Sequence, residues 1–182
     1  MKHLAVIALI CASLALCGCS TEKAAEPPPK LPAITLSPAD KELLRAFQKD
    51  ILSAEKLADR AVKLTGDELK NVLTGGEVSL NLPTIVAKAK AECLIAAELL
   101  ARKAVPEALS PEMKSLLNEG KSGLSAAYQA YAESFDSVRS FVSDKNPMAL
   151  LEYRKQYSQA QELSTKATAK IRQIMTAAGV AP

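Results

Sequence analysis

The stretch LLEYRKQYSQAQELSTKATAKIRQIMTAAG, residues 150–179, places Leu150, Tyr153, Tyr157, Ala160, Ser164, Ala167, Ile171, Ile174 and Ala178 at alternating steps of three and four. That spacing draws one apolar stripe along one face of an α-helix, and Gly179 supplies the stop. A three-four rhythm sustained this long is the pattern of helices packed side by side at shallow crossing angles. The fold is therefore predicted from this segment outward.

Upstream, Asn146-Pro147 turns the chain. The segment before it opens with Ser110-Pro111-Glu112, a capping residue followed by proline at the first helical position. It continues the stripe through Met113, Leu117, Gly120, Leu124, Ala127, Tyr131, Phe135, Val138 and Val142. A preceding helix is expected from Pro83 to Pro106, with Val86, Ala89, Cys93, Ala96, Leu100 and Ala104 on its stripe. The first helix starts at Ser37-Pro38-Ala39-Asp40, where serine caps and aspartate faces the positive helix end. Leu44, Phe47, Ile51, Ala54, Ala58 and Ala61 form its stripe, with Leu43 and Val62 widening it, and Gly66 is expected to end it. Residues 67 to 82 read as an irregular crossover: Glu68 to Leu73 suits two helical turns, Gly75-Gly76 breaks them, and Glu77 to Leu82 alternates like a strand without a partner.

Short connections at 105 to 110 and 144 to 146 force antiparallel neighbours. The predicted fold class is all-α: an antiparallel up-down four-helix bundle with long helices over residues 37–182, preceded by a disordered Pro-rich tether. The alternative is a hairpin of the last two helices that the first two complete only in an oligomer. The sequence leaves the oligomeric state open.

The amino-terminal segment has a different character. Met1-Lys2-His3 is short and positive, Leu4 to Leu16 is unbroken apolar or small, and Gly18 offers a small side chain to a peptidase. A membrane span needs about 20 apolar residues; this run is shorter and gives way to Thr21-Glu22-Lys23. Residues 1–18 therefore read as a secretory signal peptide. Residues 19–36, with Pro27-Pro28-Pro29 and Pro32, favour extended polyproline II and serve as a spacer.

Leu16-Cys17-Gly18-Cys19 resembles the lipobox of bacterial lipoproteins, an aliphatic residue, a variable one, Gly or Ala, then Cys. Cys17 stands at the variable position, where small or hydroxyl residues are more usual. The resemblance implies that Cys19 becomes the mature amino terminus, carrying a diacylglycerol on sulfur and an acylated amine. Two or more acyl chains give stable membrane residence, since each buried CH₂ contributes about 0.8 kcal/mol. By similarity to enteric sorting, Ser20 after the cysteine implies the outer membrane. Cys11 and Cys17 would leave with the signal, so Cys93 is the one thiol expected in the mature chain.

Composition excludes several activities. The 23 basic and 20 acidic residues are nearly balanced, without the basic stripe that nucleic-acid binding needs. His3 is the only histidine, so a di-iron bundle, a zinc site and a catalytic triad all lack ligands or bases. No metal, cofactor or catalytic residue is expected, and Cys93, among alanines, reads as a core thiol. Six of the seven aromatics lie between Tyr128 and Tyr157. Tyr131, Phe135, Tyr153 and Tyr157 would meet across the last two helices, either as core or as a pocket for an apolar or ring-bearing ligand with Arg139 or Arg154 at its rim.

Small polar residues also line two helical faces: Ser115, Ser122, Ser125, Ser137 and Ser140 on the third helix, and Gln156, Gln159, Ser164, Thr165 and Thr168 on the fourth. They form either a partner-docking face or a plain solvated surface. The expected function is a noncatalytic binding or scaffolding component of a bacterial envelope, lipid-anchored and facing the periplasm. Its expected partners are the membrane, through the lipid, and an envelope protein. A ligand-binding bundle using the aromatic pocket between the last two helices is the alternative.

Overall fold

The computed structural model describes residues 33–74, 76–107 and 109–180. The expected signal peptide, Cys19 and most of the expected Pro-rich spacer lie outside the described residues. The described residues form four helices: α1 Pro38–Leu73, α2 Leu82–Arg102, α3 Pro111–Asp144 and α4 Pro147–Ala177. Among the described residues there is no strand, and no helix is long and apolar enough to cross a membrane.

Each helix begins with proline in its first two positions. Ser37 accepts from the Asp40 amide at 3.1 Å while its hydroxyl donates to the Asp40 carboxylate at 2.7 Å. Ser110 and Asn146 accept from the Met113 and Met148 amides in the same way. These bonds satisfy amides that have no partner inside the helix.

The ends differ from expectation in two places. α1 runs through Gly66 to Leu73. A glycine inside a helix costs only about 1 kcal/mol, and burial of Leu69 one turn further on outweighs it. The break falls at Gly76, whose amide bonds the Asn71 carbonyl at 2.9 Å; a Cβ there would sit 2.5 Å from the Asn71 side chain. Residues 76–79 then turn without pairing. α2 stops at Arg102, short of Pro106, and Ala104 is exposed beyond it. The Lys121 ammonium on α3 donates to the Lys103 carbonyl at 2.7 Å, placing positive charge at the negative end of α2. At the end of α4, Gly179 takes φ 64°, and the amides of Gly179 and Val180 bond Thr176 and Met175.

The predicted stripes form the core. Leu44, Phe47, Ile51, Ala54, Ala58, Ala61 and Val62 of α1 are buried, but Leu43 is 45% exposed, so the stripe widens on the Val62 side only. Cross-links fix the register. Lys103 pairs with Asp50, Lys90 with Asp136 at 2.6 Å, and Lys170 with Glu119. Ser125 donates to the Ala97 carbonyl at 2.8 Å, and Thr168 to Glu55 at 3.4 Å. Across α2–α3 and α3–α4 residue numbers rise along one helix as they fall along the other, as Lys90–Asp136 with Ser125–Ala97 and Ser137–Gln156 with Lys170–Glu119 show.

The interfaces between helices are unequal. α3 and α4 come closest: a Cβ on Gly120 would lie 2.6 Å from Ile171, and one on Gly123 would lie 2.9 Å from Ala167. α1 and α4 meet through side chains, their backbones standing further apart than those of α3 and α4.

Candidate functional site

The four aromatics singled out in the sequence are brought together. Tyr131 meets Tyr157 edge-on with ring centroids 5.1 Å apart, Tyr157 meets Tyr153 at 5.4 Å, and Tyr153 stacks on Phe135 at 6.4 Å. Tyr128 extends the chain, 6.1 Å from Tyr131. Phe135 is fully buried and its ring contact with Tyr153 spans the α3–α4 interface.

The open space beside these rings lies against other helices. Tyr153 and Tyr157 line a groove of about 800 Å³ between α4 and α1, walled on the α1 side by Asp59, Val62, Lys63, Gly66, Asp67, Leu69 and Lys70, with Arg154 at the rim. Phe135 contributes instead to a groove of about 530 Å³ between α3 and α2, where Arg139, Lys90 and Asp136 form the rim. Tyr131 lines neither. The predicted set is thus one packed cluster whose members face two separate openings, each with one of the two expected arginines.

The α1–α4 groove has a distinctive donor set. Tyr128 donates its hydroxyl to Asp59 at 2.7 Å and so fastens α3 to α1 beneath it. The hydroxyls of Tyr153 and Tyr157 have no hydrogen-bond partner among the described residues, and Lys63, Lys70 and Arg154 form no ion pair among them. Burial pushes the Tyr157 phenol up, with Asp67 adding to the effect; burial and Tyr157 do the same for Tyr153. Both remain protonated donors at neutral pH. Gly66 faces the Tyr157 hydroxyl, which a Cβ there would meet at 3.6 Å, in ordinary van der Waals contact.

Further along the same interface Glu55 faces a smaller groove of about 150 Å³, with Gln48, Ile51, Leu52, Leu124, Thr168, Ile171 and Arg172. Burial raises the Glu55 pKa, and Asp59 one turn away raises it further; the Thr168 hydrogen bond and Arg172 oppose the shift. Sequence reasoning missed Glu55 and Asp59. Their positions next to the stripe residues Ala54 and Ala58 place them at the edge of the buried face, which was the available signal.

Cys93 is buried and burial pushes its thiol up to about 12, with Asp59 and Glu92 contributing. It is therefore a poor nucleophile at neutral pH. Among the described residues no group of three or more His, Cys, Asp or Glu is placed to hold a metal ion. The serine face of α3 is split: Ser115, Ser122 and Ser140 are exposed, whereas Ser125 is buried against α2 and Ser137 donates to Gln156 at 2.9 Å.

Exposed apolar residues also line the α1–α2 side. Leu57 and Leu64 of α1 share a groove of about 390 Å³ with Ile85, Lys88 and Glu92 of α2, rimmed by Lys56 and Arg60. The stripe Lys88, Glu92, Ile95, Leu99 continues it along α2, with Ile95 48% and Leu99 51% exposed. No protein-family model, curated protein or solved structure matches this chain.

Proposed function

We propose that this chain is a lipoprotein of a bacterial envelope, anchored through Cys19 at the outer membrane and facing the periplasm, where an antiparallel up-down four-helix bundle binds a protein partner without catalysing a reaction. The lipobox resemblance supports the anchor, and the opposed register of the cross-links supports the bundle. The observation that carries the binding reading is the apolar α1–α2 face of Leu57, Leu64, Ile85, Ile95 and Leu99. Such a face suits an amphipathic helix laid in a groove. Lys56 and Arg60 form no ion pair among the described residues, and Lys88 has only a 3.8 Å contact with Glu92. The rim is therefore net positive, and the partner is an envelope protein whose apolar helix is flanked by acidic residues.

Two experiments test this. Metabolic labelling with a palmitate analogue should mark the native chain and not Cys19→Ser. A photo-crosslinking residue at position 95 should give one discrete adduct in cells that Leu57→Ser with Leu64→Ser removes. A residue at exposed position 133 should not form that adduct; equal adducts at both positions would count against the docking face.

A second reading, ligand binding at the aromatic cluster, is favoured by one observation: Tyr153 and Tyr157 border open space in the α1–α4 groove.

A further inference from the structure

We infer that the α1–α4 groove is a binding site for a small organic anion with a ring or short alkyl body, its head group held between Lys70 and Arg154 and its body lying on Val62, Leu69 and Tyr153. The inference rests on the ligand-binding reading and supplies its location and ligand class.

The argument starts from register. Gly66 on α1 lies opposite the Tyr157 hydroxyl on α4, and numbering runs in opposite senses on the two helices. Three residues before Tyr157 is Arg154, and four residues after Gly66 is Lys70, so the two cations fall on facing walls of one groove. Lys63, one turn the other way from Gly66, adds a third. Among the described residues none of these three charges is neutralised by an ion pair.

Two acids share the groove, Asp59, which also accepts from the Tyr128 hydroxyl, and Asp67; with Lys63, Lys70 and Arg154 the lining is net positive by one charge. The Tyr157 hydroxyl, without a partner among the described residues and held protonated by burial and by Asp67 and Asp59, is a donor lining the same groove. Donors and positive charge over an apolar floor match a carboxylate, sulfonate or phosphate carried on an apolar body. A neutral ligand would leave the cations unused, and a cation would be repelled by them. Gly66 fits this use, because any larger side chain would grow into the space the ligand occupies.

The test is calorimetric titration of the full chain in phosphatidylcholine nanodiscs with 1-naphthyl phosphate, with empty nanodiscs as the blank and 1-naphthol as the uncharged comparison. One saturable site is expected. Replacing Lys63, Lys70 and Arg154 together by Gln should weaken naphthyl phosphate on the order of tenfold or more, and 1-naphthol should bind the native chain weaker by a similar factor. Gly66→Met should abolish both. Tyr157→Phe, which removes one hydroxyl and keeps the ring, should weaken the phosphate several-fold and serves if the larger changes unfold the chain.

Equal affinities for phosphate and naphthol, both lost in Gly66→Met, would overturn the anion assignment while leaving a ligand groove. No saturable binding, or binding unchanged in Gly66→Met and in Tyr157→Phe, would overturn the site altogether.

Discussion

The α3–α4 and α1–α4 interfaces share one helix and use it differently. Toward α3, α4 presents Ala167 and Ile171 to Gly120 and Gly123, and the missing Cβ atoms let the helices close until no further atom fits. Toward α1, the same helix presents Arg154, Tyr157, Thr168 and Arg172 to Asp59, Gly66, Lys63 and Glu55, and two grooves remain. Small side chains at the crossing close an interface, whereas long polar ones hold it open and hydrated. The first interface supplies stability and the second supplies surface with unsatisfied chemistry. The second keeps donors that folding has not consumed.

The contrast can be broken most forcefully at Gly120. Gly120→Val places methyls where Ile171 already sits and should cost about 2–3 kcal/mol, read as a lower midpoint in urea denaturation. If the change is neutral, the interface is looser than its geometry implies. Tyr128→Phe removes the bond that ties α1 to α3 across 69 residues of sequence. Its expected cost is about 1.5–2 kcal/mol, the net worth of a hydrogen bond to a carboxylate, in the same assay.

Gly66→Ala should act in the opposite direction from the Gly120 change. A Cβ at 3.6 Å from the Tyr157 hydroxyl is in ordinary contact, and replacing a mid-helix glycine should raise stability by about 0.5–1 kcal/mol. A loss instead would show that α1 and α4 are closer than described.

The smallest effect is expected at Glu55 and its sign is definite. A carboxyl whose folded pKa is raised binds protons more tightly when folded than when unfolded, so its contribution is fully favourable below the ordinary pKa of 4.5 and is lost as pH rises through the folded value. Glu55→Gln should therefore raise Tm at pH 7 and leave the difference from the native chain minimal at pH 4, measured by thermal unfolding monitored by circular dichroism. A difference that grows as pH falls would reverse the assignment.

Much of the fold was legible because burial periodicity is a local property. The stripe from Leu150 to Ala178 and the Ser-Pro starts at 37 and 110 correspond to observed faces and caps. Gly66 was misread because glycine weakens a helix only by its own small cost, and the burial of Leu69 that overrides it is a tertiary fact. Leu43 was misassigned because a stripe has edges, and which edge a neighbour covers is not written in the period; Ala104 was misassigned because α2 ends at Arg102, before it. At the site, the gathering of Tyr131, Phe135, Tyr153 and Tyr157 followed from an antiparallel register. Which interface their open sides would meet did not, because that depends on the glycines of α3 drawing α4 toward it and away from α1. The Tyr128–Asp59 bond was illegible for a simpler reason, its partners lying on helices one and three.

Native-state hydrogen exchange, resolved by residue, tests most directly whether α1 is the loosely held wall of the bundle. The slowest amides should lie in α3 and α4 around Leu117–Phe135 and Tyr153–Ile171, exchanging only with global unfolding, while α1 amides around Asp59–Leu69 exchange through a smaller opening at lower denaturant. Protection in α1 equal to that in α3 and α4 would contradict the account.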